Sequence, residues 1–177
     1  MADAISVLTK DHQEVEALFA QVEGVTSPDQ QVVDRIVKEL SIHDAIERQY
    51  LYPAVRDLGG GPTMADRSME EHNEVATTLL ELDQTQSGSP DQARCLAALI
   101  PLVRTHVAEE ESQIFLTMRE QMPAADLNSL GDKLQSAKSS APTRPHPRTA
   151  GEGIVTKVAG AVTGPLDRAK DAAQHRP

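Results

Sequence analysis

Four histidines, His12, His43, His72 and His106, each interrupt a run of apolar residues spaced three and four positions apart. Two are followed four residues later by a glutamate, in His43-Asp44-Ala45-Ile46-Glu47 and His106-Val107-Ala108-Glu109-Glu110. An i, i+4 pair lies on one helix face, so imidazole and carboxylate can reach the same ion or the same ion pair. Two buried carboxylates and four buried imidazoles would unfold a small domain unless something compensated them, because an unpartnered polar group in an apolar interior costs several kcal/mol. Metal coordination compensates all six at once. Such a set can hold two ions with the carboxylates bridging them. Mixed nitrogen and oxygen donors suit iron, with manganese as the alternative, whereas structural zinc would favour thiolates. The single Cys95 sits beside Leu96 in a helical pattern and reads as a small core residue.

The elements that must position these residues are long helices. Gly24 with Ser27-Pro28, Gly59-Gly60-Gly61-Pro62, Ser87-Gly88-Ser89-Pro90 and Pro123 punctuate the chain. Gly just past a helix end and Pro just inside a start is the expected asymmetry. The spacing predicts helices over roughly 3–23, 29–57, 63–86 and 91–121, with a kink or break at Pro101 and a short fifth helix near 124–137. Each long helix carries an apolar stripe containing one histidine, for example Ile5, Leu8, His12, Val15, Leu18 and Val22 in the first. Short connections make sequential helices antiparallel, so the fold is all-α, an up-down-up-down four-helix bundle. At about 1.5 Å per residue, His12, His43 and His106 lie roughly 18 to 22 Å from the same end of the bundle, and His72 falls close by, nearer the level of Glu47. The histidines therefore share one layer. The expected domain division is a bundle over 1–122, a short helix over 123–138 and a flexible low-complexity tail over 139–177, with a transient helix near 153–173 and with His146 and His175 solvated.

Composition narrows the function classes. Tryptophan is absent and aromatics make up 2% of the chain, so the core is aliphatic, which suits helices better than a sandwich or barrel. No stretch is apolar enough for a transmembrane helix, no signal peptide is visible, and the one cysteine gives no internal disulfide; a cytoplasmic protein is expected. Residues 138–177 hold seven Lys/Arg against three Asp/Glu, leaving ten basic and 24 acidic residues in the rest. That acidic body repels nucleic acid and anionic membranes, so no nucleic-acid partner is expected. A monomer or weak dimer is expected, and no residue pattern specifies a redox partner.

The order His, HxxxE, His, HxxxE, with Asp11-His12, with Tyr50-Leu51-Tyr52-Pro53 after the first pair and with Ile114-Phe115 after the second, resembles the hemerythrin-like (HHE cation-binding) proteins over about residues 3–120. The resemblance implies an up-down bundle around a non-haem di-iron centre. His12, His43, His72 and His106 would be terminal ligands, and Glu47 and Glu110 would bridge. It also implies a small ligand, O2, NO or H2O2, in sensing or stress response, or a catalase-like or nitric-oxide-processing di-iron enzyme. Oxygen carriers of the family have a second histidine where this chain has Ala76, which tilts the reading towards a centre with an open position. Glu111 occupies their carboxylate spacing, but Glu110 lies on the stripe. Tyr50, three residues after Glu47, is expected as a hydrogen-bond donor or redox partner in the site, and Glu71, before His72, as a guide for ions or a solvated charge. A metal-free helical interaction protein is the remaining alternative.

Overall fold

The computed structural model describes residues 2–146 and 156–173, with side chains over 2–146 and 165–173. The predicted bundle is present. Helix α1 is Ala4–Val22, α2 is Gln30–Ile46, α4 is Gly61–Asp83 and α5 is Pro90–Glu109. Two short helices, α3 (Tyr52–Arg56) and α6 (Phe115–Gln121), prolong α2 and α5, and α7 (Ala124–Ala137) packs along α1. Helix starts follow the sequence punctuation. The Asp3 carboxylate accepts from the Ser6 N–H at 2.7 Å, Asp29 accepts from Gln31 at 2.9 Å, and the Ser89 hydroxyl accepts from Gln92 at 3.1 Å. Gly60, at φ +76°, makes the left-handed turn that starts α4.

Two features differ from expectation. Pro101 neither ends α5 nor separates its first turns. Its ring and the Ala97 carbonyl it leaves unpaired lie on exposed positions, where water can take the hydrogen bond. Secondly, α2 and α5 do not run on as plain α-helix. Each passes through one π-helical turn, Glu47–Leu51 and Glu110–Ile114, in which the N–H of Tyr52 bonds the Glu47 carbonyl and that of Phe115 bonds the Glu110 carbonyl. Five-residue bonds widen the helix and bring residue i+5 onto the face of residue i.

The interior forms two aliphatic cores with a polar layer between them. One gathers Leu8, Ile46, Leu51, Tyr52, Phe115 and Met118, the other Phe19, Ile36, Leu79, Leu82, Leu99 and Val103. His12, His72, His106 and Glu110 lie between these clusters along their helices, and on α2 His43 and Glu47 alternate with Ile42 and Ile46 at the near edge of the first. Among the described residues no helix is long and apolar enough to cross a membrane.

Part of the expected flexible tail, including His175, lies outside the described residues. The rest includes helix α8 (Thr156–Ala173). Arg168 donates to the Lys138 and Ala141 carbonyls at 3.0 and 2.9 Å, and Thr143 and Arg144 bond the buried Asp171 at 2.6 and 2.8 Å. His146, expected to be solvated, is exposed but sits 2.8 Å from Asp167.

Candidate metal centre

The six predicted donors converge. Helices α1, α2, α4 and α5 each aim one imidazole inward, and each π-turn opens on the glutamate that follows. Glu47 is 0% exposed and Glu110 1%, and all four imidazoles are buried. His12, His43, Glu47 and Glu110 offer donor atoms all within 4.8 Å of one another, and Glu47, His72 and His106 form a second such group. Glu47 belongs to both. Its Oε1 is 3.1 Å from His43 Nε2 and its Oε2 3.1 Å from His72 Nε2. Glu110 Oε2 lies 3.3 Å from His12 Nε2.

Each imidazole turns its other nitrogen to a carboxylate. His12 Nδ1 is 2.8 Å from Glu111, His72 Nδ1 2.8 Å from Asp44 and His106 Nδ1 2.9 Å from Glu71, while His43 Nδ1 is 3.8 Å from Asp11. The first three are hydrogen bonds; the fourth is a charge contact too long for one. Nδ1–H donation to a carboxylate fixes the tautomer that leaves Nε2 with its lone pair pointing inward, the usual support of a metal-binding histidine. These carboxylates are themselves held: Asp11 by Lys138, Asp44 by Arg48 at 2.7 Å, and Glu71 by Arg67 at 3.2 Å.

The electrostatics match this packing. Burial resists charge on His43, yet the Glu47 carboxylate and Asp11 outweigh it and hold its pKa well above the ordinary value. Burial likewise opposes charge on His72, but Asp44 and Glu47 raise it to about 8. Burial pushes Glu47 up, and His43 with His72 more than reverse this, leaving it well below the usual carboxylate range. The site is a nest of anions that attracts positive charge, whether proton or metal.

Whether a metal fits is decided by the atoms left over. His12 Nε2, His43 Nε2, Glu47 Oε1 and Glu110 Oε2 are buried and have no hydrogen-bond partner. All four face one another inside the layer. Native interiors rarely leave such atoms unpaired, and a cation between them satisfies all four without adding a protein group. The donor set fits one or two metal ions.

Above the layer lies a cavity of about 30 Å³, floored by the four histidines and walled by Val15, Leu40, Val75, Val103 and Val107. Val75, rather than Ala76, lines it. Glu111 is 41% exposed at its side chain and backs His12, whereas Glu110 faces inward, as the stripe predicted.

Tyr50 is not brought to the cluster: it is half-buried, and its hydroxyl takes the Gln49 amide at 3.1 Å. Tyr52 occupies that place. Its hydroxyl is 2.7 Å from His72 Nε2 and 3.5 Å from both Glu47 Oε2 and Glu110 Oε1. The π-turn is the reason, since it carries position 52 onto the face of Glu47 while an α-helical period favours position 50. Burial, with Glu47 and Glu110 nearby, holds the Tyr52 pKa well above its usual value, so the phenol keeps its proton against these anions. The signal for Tyr52 was in the sequence as a repeat: His43-Glu47-Tyr52 and His106-Glu110-Phe115 share spacings of four and five. The acidic residue before each of His12 and His72 belongs to the same repeat, because Asp11 faces His43 and Glu71 faces His106.

Known proteins share this architecture. A crystal structure of a hemerythrin HHE cation binding domain-containing protein from Mycobacterium kansasii superposes with a TM-score of 0.67, at 24% identity, over 78% of this chain and 86% of that one. A DNA nickase from Nostoc sp. (strain PCC 7120 / SAG 25.82 / UTEX 2576) is 26% identical over 151 residues, 84% of this chain. The matched stretch is 42% of that protein's length. The hemerythrin HHE cation binding domain matches residues 3–117, from α1 into α6, and so takes in all six converging donors; the chain belongs to this metal-ion-binding family.

Proposed function

We propose that this chain is a non-haem di-iron protein that binds a small diatomic or peroxide ligand, O2, NO or H2O2, in sensing or stress response. The observation that carries the reading is the pair of overlapping donor groups sharing Glu47, set directly beneath an apolar cavity of about 30 Å³. His12 and His43 would hold one ion, His72 and His106 the other, with Glu47 and Glu110 across both. Nitrogen and oxygen donors without thiolate suit iron, and manganese second. An iron pair supplies reversible electron exchange with a bound oxygen or nitrogen ligand.

The chain's own residues do the rest. A cavity of this size takes one or two water-sized molecules, which selects for diatomics and peroxide. The valine and leucine side chains lower the polarity beside the donors and so strengthen the charges there. Asp44, Glu71 and Glu111 hold three rings in their inward tautomer. Tyr52 keeps a proton within the cluster.

That hydroxyl favours a second reading, turnover of peroxide or nitric oxide, because a proton donor inside a redox site is what such turnover requires. Nicking activity, named for the Nostoc relative, is not carried over: the 24 acidic against ten basic residues of positions 1–137 oppose a phosphate backbone.

The purified full-length chain should carry about two irons after reconstitution and give spectral changes with NO, O2 or peroxide. Protein that takes up neither iron nor manganese would refute the reading. Gas evolution from added peroxide, lost in Glu47→Ala, selects the enzyme; iron-loaded protein that forms adducts without turnover selects the binding protein.

A further inference from the structure

We propose that metal ions reach the centre by a route of their own, through a polar vestibule between α1, α2 and α7 that ends at Asp11. The proposal rests on the di-iron reading above and separates the door for cations from the apolar cavity that takes the small ligand.

The vestibule is a second cavity, of about 220 Å³. Lys10, Asp11 and Glu14 of α1, Glu39 of α2, and Gln135 and Lys138 at the end of α7 supply its polar lining. That volume holds a cation with several of its waters, each of which occupies about 30 Å³ in the liquid. The cavity above the histidines, at about 30 Å³ between valines, does not. An ion crossing it would lose its water with nothing in exchange, whereas a neutral diatomic bears no such cost. The charges of the vestibule favour a cation as well. Lys10 pairs with Glu14 at 3.5 Å and Lys138 with Asp11, which leaves the half-buried Glu39 as the unpaired charge of the lining among the described residues.

Asp11 joins the two spaces, because it lines both cavities. Its Oδ1 faces Lys138 on the vestibule side, and its Oδ2 lies 3.8 Å from His43 Nδ1 on the metal side. His43 is also the ring that no hydrogen bond holds. The other three imidazoles each have an Nδ1 bonded to a carboxylate at 2.8–2.9 Å, whereas both nitrogens of His43, a residue 6% exposed, have no hydrogen-bond partner. The unlocked ring thus stands at the carboxylate that the two cavities share. An ion that displaces Lys138 from Asp11 meets a ring free to turn and receive it, and the three fixed rings wait behind.

The test is stopped-flow uptake of ferrous ion by the metal-free full-length chain, with NO association to the iron-loaded chain measured beside it. Glu39→Gln removes the unpaired charge and should slow iron uptake by about 3- to 10-fold at low salt. Glu120→Gln, the same charge change at an exposed position of α6 outside the cavity, should leave it at the wild-type rate. Gln135→Trp, which adds bulk at the exposed α7 edge of the vestibule, should slow iron uptake without slowing NO association. Uptake unchanged in Glu39→Gln, or slowed equally by Glu120→Gln, overturns the proposal, and this comparison stands even if the tryptophan variant does not fold. Unchanged uptake in a folded Gln135→Trp, or NO association slowed along with it, overturns it too. Metal analysis keeps the levels apart: full iron content with uptake indifferent to these variants leaves the di-iron reading standing, and wild type that takes up no metal removes both.

Discussion

Stripping metal from this bundle should cost it much of its stability, and the structure sets the scale. Four site atoms, His12 Nε2, His43 Nε2, Glu47 Oε1 and Glu110 Oε2, are buried without a hydrogen-bond partner. An unsatisfied buried polar group costs about 1–3 kcal/mol, so four cost on the order of 4–12 kcal/mol. That is comparable with the whole stability of an ordinary domain, about 5–15 kcal/mol. Part of it is recovered in metal-free protein by protons on His43 and His72, which their carboxylate neighbours favour. At about 2–4 °C per kcal/mol for a chain of this size, chelation should still lower Tm by on the order of 10 °C or more. The assay is far-UV circular dichroism through thermal unfolding, with and without a strong chelator, followed by iron or manganese added back. Recovery should track metal content and saturate. An unchanged midpoint in protein proven free of metal would refute the reasoning, because the orphaned atoms would then have partners of another kind.

Glu71→Gln should weaken metal retention by about 10- to 100-fold in a chelator competition, since Glu71 orients His106 from 2.9 Å without lying among the inward donors. Val75→Phe should fill the small cavity and suppress NO or peroxide adducts while leaving metal content unchanged, as read by absorption and metal analysis. Gly131→Ala should destabilise the fold by about 1–3 kcal/mol in urea unfolding, because its new Cβ would lie 2.4 Å from the Ala2 carbonyl and 2.8 Å from the Ala4 nitrogen, both unyielding backbone.

The bundle and the convergence of its six donors were legible because both depend on helical spacing, and polar residues on apolar stripes stand out. The supporting carboxylates were half-legible. Asp11, Asp44, Glu71 and Glu111 each adjoin a predicted donor in sequence, but which ring each one faces depends on helix rotation, and Glu71 was open between ion guidance and a solvated charge. Tyr52 was missed because the stripe was extended at the α-helical period through Glu47, and no residue type between 47 and 51 signals a π-turn. Ala76 drew attention as a missing family ligand, yet Val75 is the residue at the cavity wall. In the C-terminal segment, composition hid a specific network: Arg168, Asp171 and Asp167 find partners over 138–146 that no periodicity announces.

The two π-turns have a consequence for how this chain can vary. Each successive residue of an α-helix rotates the next by about 100°. If the wide turn between Glu47 and Tyr52 relaxed to a regular one at the same chain length, the phenol would swing away from His72, with every side chain of the cluster retained. The same relaxation after Glu110 would unstack Phe115 from His12. The extra residue and the wide turn are thus inherited together, and relatives with the same six donors but one residue fewer at either turn would present the same face from a regular α-helix.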